Sequence, residues 1–186
     1  MSIETLHFHC FDTALGCCAI AWTPLGVVGS QLPEDSPEAT RQRMLARFPG
    51  ACETADLPAA MGAAVAGIQA LLSGELRDLL EIPLDERRVP PFNRRVHALT
   101  RQIPVGQTRS YGELAVALGV PGAARAVGQA EGANPFAPIV PCHRVMGSGG
   151  AAVGFSAHGG VETKRRLLAI EARACGQLAG EQGALF

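Results

Sequence analysis

The stretch SYGELAVALGVPGAARAVGQAEG, residues 110–132, decides how the second half of the chain folds. Ser110 and Glu113 form a capping-box pattern, in which the serine hydroxyl accepts from the third amide and the glutamate reaches back to the first. The helix that begins there is ended by Gly119, and a proline two residues later suits the entry to a second helix over about 122–132. Two short helices joined by a three-residue turn predict a helix-turn-helix.

The second of these helices has almost no side-chain bulk apart from Arg125, which projects from its start. Its small residues are Ala123, Ala124, Ala126, Gly128, Ala130 and Gly132. Each glycine lowers the stability of a helix by about 1 kcal/mol relative to alanine, so we expect a structural or functional reason for such a smooth surface. One use is a very close approach of the backbone to a ligand, and another is close packing against a neighbouring helix. The sequence leaves both open.

Shortly after this helix, Pro141-Cys142-His143-Arg144-Val145 places a cysteine beside a histidine. A free thiol is mostly protonated at neutral pH, so a reactive cysteine needs a lowered pKa or a nearby base. On an extended segment the two side chains would point to opposite sides, so their pairing requires a turn or a bridging water. A thiol nucleophile joined to a nucleic-acid-reading element indicates covalent chemistry on DNA or RNA.

Charge is divided unevenly along the chain. Residues 1–86 carry 4 Arg against 12 Asp and Glu, a net charge of −8, whereas residues 87–175 carry 12 Arg and Lys against 4 Glu, a net charge of +8. The formal charge of the whole chain is only −1. A basic half on a nearly neutral chain favours a polyanionic partner over simple solvation of helices.

The N-terminal half reads as a small β-rich unit and the C-terminal half as helical, which predicts an α+β fold. We expect an N-terminal support domain over residues 1–87 and a DNA-binding catalytic domain over residues 88–186. Strands are predicted near 3–11, 15–23 and 25–32, helices over 41–48, 65–72 and 92–103, and a connector over 73–91.

The 186-residue chain has no apolar run near the roughly 20 residues of a membrane helix and no secretory leader pattern, so we expect a cytoplasmic protein with no membrane partner. Its six cysteines are then expected to be free thiols. The spacing of His7, His9, Cys10 and Cys17 matches no standard zinc pattern. No metal site is predicted, although whether these four residues bind a metal is left open.

Several ordered motifs resemble the O6-alkylguanine-DNA alkyltransferases, which move an alkyl group from a damaged base to a cysteine. They are residues 101–115, 124–128, 134–135, 139–145 and 164–171. The resemblance is strong over about residues 88–173 and weak over 1–87. It implies a ribonuclease H-like N-terminal fold, a monomer acting on double-stranded DNA, and no cofactor.

Carried over residue by residue, the resemblance assigns the chemistry to five side chains. Cys142 would be the nucleophile and permanent alkyl acceptor. His143 would take the thiol proton through a water, and Glu171 would orient His143. Asn134 would brace the loop that carries the cysteine, and Tyr111 would hydrogen-bond guanine N3 and supply a proton to the leaving base.

The resemblance also assigns a base pocket and a DNA surface. The backbone at Val145 and Cys142 would accept from the guanine amine, Ser156 would lie near O6, and Phe155 would form a pocket wall. Arg125 would fill the gap left by the extruded nucleotide. Ser110, Ala124 and Ala126 are expected to contact the DNA beside Arg125.

Two features depart from the family pattern, and two further groups of residues have predicted surroundings. Phe155 stands where relatives often have tyrosine, and the loop 156–160 looks about two residues longer. His97 is predicted to be a packed core histidine. Lys164 and the two arginines after it are predicted to be a solvated helix start that could touch phosphate.

The predicted function is single-turnover repair of O6-alkylguanine, with some action on O4-methylthymine. The chief alternative is a protein that binds alkyl lesions without repairing them, but that class lacks the cysteine. A cysteine hydrolase would leave the basic half unexplained. A major-groove transcription regulator would need more base-reading side chains than Arg125 and Gln129 on helix 122–132.

Overall fold

The computed structural model describes residues 5–176 of the chain. It shows a small N-terminal sheet with two helices, followed by a mainly helical C-terminal part, and so an α+β protein. Its elements are, in order, β1 His7–Thr13, β2 Gly16–Thr23, β3 Gly26–Gln31, α1 Pro37–Arg47, β4 Cys52–Glu53, α2 Ala59–Leu72, α3 Pro91–Thr100, β5 Arg109–Ser110, α4 Tyr111–Ala117, α5 Ala124–Gly132, β6 Val145–Met146 and α6 Gly160–Ala174.

The N-terminal sheet has the strand order β3-β2-β1-β4. Strands β1, β2 and β3 form antiparallel hairpins, and β4 adds to β1 in parallel. The turn into β3 requires Gly26, whose φ is +143° and whose added Cβ would lie 2.6 Å from the carbonyl oxygen of Pro83. The three hairpin strands confirm the sequence prediction, whereas the two-residue β4 is too short to give a sequence signal.

Strand β2 is buried on both faces. Because successive side chains of a strand point to opposite faces, alternate residues of β2 pack in two different cores. Ile20 and Trp22 pack with α2 in the largest cluster, whereas Ala19 and Ala21 pack with Met44 of α1 in another. Both helices begin earlier than the apolar pattern predicts. Pro37 occupies the first turn of α1, where a missing amide hydrogen costs nothing, and the helix therefore starts before its first buried residue.

The C-terminal part has its own cluster, in which α3, α4 and α5 pack together. Val96 is buried there with Phe92 and Leu99 packed against it, which confirms this part of the predicted helical face. Ile103 joins the same cluster from beyond the helix, because α3 ends at Thr100, three residues earlier than predicted. The capping box at α4 is present, with the Ser110 hydroxyl accepting from the Glu113 amide at 3.1 Å. The connection from α4 to α5 runs over 118–123 and is longer than the predicted turn.

The largest hydrophobic cluster joins the two halves. It contains N-terminal residues of β2 and α2 together with Phe136, Ile139, Val140 and Leu167 from the C-terminal half. The segment 73–90 that links the halves holds no helix and is fastened by a bridge between Val27 and Leu84. No helix within residues 5–176 combines the length and the apolar character needed to cross a membrane.

Candidate active site

Cys142 begins a 3₁₀ turn over Cys142–Arg144, at the end of the loop that follows α5. Asn134 closes this loop on itself, because its Nδ2 donates to the carbonyl of Val140 at 2.8 Å and its Oδ1 accepts from the amide of Phe136 at 2.9 Å. Asn134 therefore lies where the sequence predicts a brace for the cysteine loop.

The N-terminal sheet holds the same loop from the other side, which the sequence did not reveal. The amide of Ser30 in β3 donates to the carbonyl of Pro135 at 2.8 Å, and its hydroxyl donates to the carbonyl of Ala137 at 2.8 Å. Arg47 of α1 adds a bond to the Pro135 carbonyl at 3.1 Å. These contacts join residues about 90 to 110 positions apart in sequence, so no local sequence pattern predicts them.

The thiol of Cys142 borders a cavity of about 290 Å³. The residues lining it are Tyr111, Gly128, Glu131, Gly132, Cys142, Gly154, Phe155 and Ser156. Cys142 is 4% exposed, and burial raises the pKa of its thiol to about 12, with a further increase from Glu131 that Asn134 and Lys164 partly offset. The resting thiol is therefore protonated and needs a proton acceptor before it can attack.

His143 is positioned as that acceptor. Its Nε2 lies 2.8 Å from Oε1 of Glu171, and the side chains of both residues are buried. Burial lowers the pKa of His143, so the ring is neutral, and an ionised glutamate can only accept. The hydrogen must then reside on Nε2, which leaves a lone pair on Nδ1, an atom with no hydrogen-bond partner among residues 5–176.

Glu171 stays ionised because Arg144 forms hydrogen bonds and an ion pair with its carboxylate. Arg144 was not among the predicted site residues. Arg144 is 1% exposed, and its Nε and Nη2 donate to the Glu171 carboxylate at 2.9 to 3.1 Å. The amide of Gly106 donates to Oε2 at 3.2 Å. Burial raises the pKa of Glu171, but the bonds from His143 and Arg144 outweigh it and hold the pKa at about 2.

Lys164 corrects the sequence prediction of a solvated helix start. The side chain is fully buried, and its Nζ donates to the carbonyls of Val145 at 2.6 Å and Val153 at 3.1 Å. Helix α6 begins at Gly160, so Lys164 falls on the inward face with Leu167 and Glu171. Their spacing of three and four residues is the signal that could have shown it.

Tyr111, Phe155 and Ser156 line the cavity as predicted from the resemblance. The Tyr111 hydroxyl donates to the carbonyl of Val153 at 3.3 Å, and burial raises its pKa. The carbonyls of Val145 and Cys142 already accept from Lys164 and from the Val145 amide. Each carbonyl retains one lone pair for a further donor.

Comparison with known proteins agrees with this geometry. The family model described as 6-O-methylguanine DNA methyltransferase, DNA binding domain, matches residues 91–173. A methylated-DNA–protein-cysteine methyltransferase of Mycolicibacterium paratuberculosis is 42% identical over 153 residues, which cover 81% of this chain and 89% of the relative. The chain belongs to this methyltransferase family.

Solved structures give the same result. The O6-methylguanine methyltransferase of Mycobacterium tuberculosis in complex with DNA has a TM-score of 0.71 at 35% identity, over 90% of this chain and 94% of that one. The enzyme of the archaeon Pyrococcus kodakaraensis has a TM-score of 0.66 at 28% identity, over 88% and 98% of the two chains. The methyltransferase fold therefore extends over the N-terminal half, where the sequence resemblance was weak.

Helix α5 divides its small residues between two surfaces of this methyltransferase. Val127 and Ala130 are buried against the neighbouring helices, whereas Gly128 faces the ring of Tyr111, which a Cβ would meet at 3.8 Å. Arg125 is exposed at the start of the helix, with Ala124 and Ala126 half-buried beside it. Close packing and an open approach surface are thus both present, on different faces.

Two remaining predictions concern histidines and metals. His97 is fully buried, with Nε2 3.1 Å from the carbonyl of Ala130, which confirms a packed core histidine. Within the described part of the chain, no group of three or more His, Cys, Asp or Glu side chains is placed to hold a metal ion.

Proposed function

We propose that this protein repairs DNA by transferring an alkyl group from O6 of guanine to Cys142, once per molecule. The observation that carries the proposal is the buried Cys142 thiol on the wall of a cavity, next to a neutral His143 fixed by Glu171. Membership of the methyltransferase family supports it. A non-catalytic lesion-binding protein would have no need for this nucleophile and base.

The chemical step is an in-line displacement. The thiol proton leaves toward Nδ1 of His143, the sulfur attacks the alkyl carbon, a carbon–sulfur bond forms and the carbon–O6 bond breaks. Because no hydrogen bond among the described residues joins Cys142 to His143, a water carries the proton, as the resemblance implies. The departing guanine takes a proton in return, and the thioether that remains is stable, so the protein is consumed.

The cavity residues would hold the everted base. Tyr111 would hydrogen-bond guanine N3 and supply the proton, Ser156 would lie near O6, and Phe155 would form an aromatic wall. The free lone pairs of the Val145 and Cys142 carbonyls would accept from the exocyclic amine. The same pocket would accept O4-methylthymine, a smaller base that presents an equivalent alkyl oxygen.

Helices α4 and α5 would form the DNA-binding helix-turn-helix. Their packing in one cluster and the exposed Arg125 support this assignment. Lesions occur in any sequence, so α5 would lie in the minor groove without reading bases, with Ser110, Ala124 and Ala126 close to the backbone. Arg125 would fill the space of the extruded nucleotide, and affinity would fall with salt.

The finer architecture is also proposed. The order β3-β2-β1-β4, with β4 parallel to β1, supports a ribonuclease H-like N-terminal domain over residues 1–87, followed by the catalytic domain over 88–186. A cytoplasmic location and a monomeric state stay predictions. No cofactor is expected, because the cysteine itself supplies the nucleophile.

The test mixes the protein with duplex DNA that carries a radiolabelled methyl group at guanine O6. Label should move to the protein in a ratio no greater than one, with a mass increase of one methylene on the peptide that contains Cys142. Cys142→Ala should abolish transfer, whereas Cys52→Ala, which removes an exposed cysteine, should leave it unchanged. Binding without transfer would identify a lesion-binding protein instead, and transfer by Cys142→Ala would refute the nucleophile.

A further inference from the structure

The cavity beside Cys142 also contains a buried acid, Glu131. The proposed mechanism gives this residue no role. It lies on α5, its side chain is almost completely buried, and it lines the cavity together with Cys142 and Tyr111. A carboxylate rarely occupies such a place without a charged partner in contact. Its only hydrogen-bond partner among residues 5–176 is the hydroxyl of Thr100 on α3.

Thr100 is a weak hydrogen-bond partner for the carboxyl group of Glu131. Oγ1 of Thr100 lies 3.0 Å from the carbonyl of Val96 and is also in contact with Oε1 of Glu131. A hydroxyl has one hydrogen and cannot donate to both acceptors. The Val96 carbonyl therefore competes with Glu131 for the single hydrogen of Thr100, and this one shared donor is little compensation for a buried carboxylate.

The second carboxyl oxygen is left without a partner. Oε2 of Glu131 is buried and makes no hydrogen bond to any described residue. A charged oxygen in that state would suffer a large desolvation penalty, whereas the neutral acid suffers a smaller one. Burial accordingly raises the pKa of Glu131 to about 7, although Thr100 and Lys164 act in the opposite direction.

The titratable groups near Glu131, together with the Thr100 hydroxyl, come from four different segments of the C-terminal half. Helix α3 contributes Thr100 and His97, α4 contributes Tyr111, the 3₁₀ turn contributes Cys142, and α6 contributes Lys164. A charge on Glu131 raises the pKa of both Cys142 and Tyr111. Lys164 is the one cation in this group, so a thiolate and an ionised Glu131 would compete for it.

We propose that Glu131 is a further positioning residue for alkyl transfer, neutral in the reactive protein and inhibitory when ionised. The neutral acid lets Lys164 stabilise the thiolate of Cys142, whereas the ionised acid places a second negative charge in the cavity that must accept the first. This inference rests on the proposed transfer to Cys142 and adds a control of its pH dependence.

Single-turnover transfer rates of the wild type and Glu131→Gln, measured between about pH 5.5 and about pH 9, test the proposal. Glutamine keeps the shape and stays neutral, so the rates should agree at the acid end. Above about pH 8 the variant should be faster by about tenfold, the effect of one pKa unit on thiolate formation. Taking the ratio of the two rates removes the titration of His143, which both proteins share, and leaves the effect of Glu131 on the ionisation of Cys142.

Glu75→Gln is the matched control, because Glu75 is exposed in the N-terminal half and is not among the residues that line the cavity. Its rate ratio to the wild type should stay near one at every pH. A ratio for Glu131→Gln that is equally independent of pH would overturn the inference while leaving alkyl transfer intact. Failure of the wild type itself to accept an alkyl group would overturn the proposed function first.

A measurement on the wild-type protein covers the case in which Glu131→Gln fails to fold. Carbon-13 labelling of all glutamate carboxyl carbons allows each to be titrated by NMR without assignment. One glutamate should titrate near pH 7, well above the ordinary value of about 4.3. If every glutamate titrated below about pH 6, Glu131 would be ionised in the reactive protein and the inference would be wrong.

Discussion

The exposed side of α5 and the buried floor of the cysteine site serve the same reaction in opposite ways. On α5, Arg125 extends from a surface of small residues into solvent. Beneath Cys142, the charged groups of Arg144, Glu171 and Lys164 are fixed by one another and by backbone carbonyls. In the proposed function, the chemistry would therefore depend on buried charges, whereas DNA engagement would depend on exposed ones.

The largest effect is expected on the buried floor. Glu171→Gln would leave the Arg144 guanidinium, which is 1% exposed, with only its longer 3.4 Å ion pair to the partly exposed Asp78, so the free energy of unfolding should fall by about 3–5 kcal/mol. Denaturant unfolding measures it. The matched control is Glu162→Gln on the same helix, where a 70% exposed side chain should change stability by less than about 0.5 kcal/mol. Equal losses in the two variants would contradict the distinction between buried and exposed charges.

The ionisation of Glu171 should also make the free energy of unfolding depend on pH. The pKa of Glu171 is about 2 in the folded protein, below its value in the unfolded chain, so its contribution is complete above about pH 5. That contribution is lost as the pH falls toward 2, by about 3 kcal/mol in total. Glu171→Gln lacks this ionisation, and its stability should therefore depend less steeply on acid than that of the wild type.

An intermediate effect is expected on the exposed side. Arg125→Ala, combined with Cys142→Ala so that the lesion persists, should weaken binding to a lesion-bearing duplex by about tenfold, or about 1.4 kcal/mol, because the gap in the base stack is no longer filled. Binding to undamaged duplex should fall less. Fluorescence anisotropy measures both affinities, and Arg77→Ala, which removes an exposed arginine of the N-terminal half, is the control. Equal losses on damaged and undamaged DNA would refute the wedge role.

The smallest effect is expected where the N-terminal sheet supports the cysteine loop. Ser30→Ala removes the 2.8 Å hydrogen bond to the Ala137 carbonyl, which should lower the free energy of unfolding by about 1 kcal/mol. Ser73→Ala, which removes a similar bond at an exposed helix end, should cost less because water replaces it. If urea unfolding shows no larger loss for Ser30→Ala, the sheet does not stabilise the loop through this contact.

Local patterns predicted the elements on which the site is built. The capping box of Ser110 and Glu113, the apolar face of α3 and the three hairpin strands depend on residues a few positions apart, and all are present. The start of α1 was placed too late, because the apolar pattern marks only buried turns and the first turn of this helix is exposed. Asn134, His143 and Glu171 were found through the family resemblance and lie together, although no single segment contains them all.

The sequence by itself determined the order of helices and strands, the charge division between the halves and the neighbouring Cys142 and His143, since each depends on adjacent residues or on composition. Only the tertiary structure decided which charged side chains are buried. Arg144, Lys164 and Glu131 look like ordinary polar residues along the chain, and their burial follows from packing between segments that are distant in sequence. Such packing sets the desolvation and the hydrogen-bond partners of each group, and through them its protonation state.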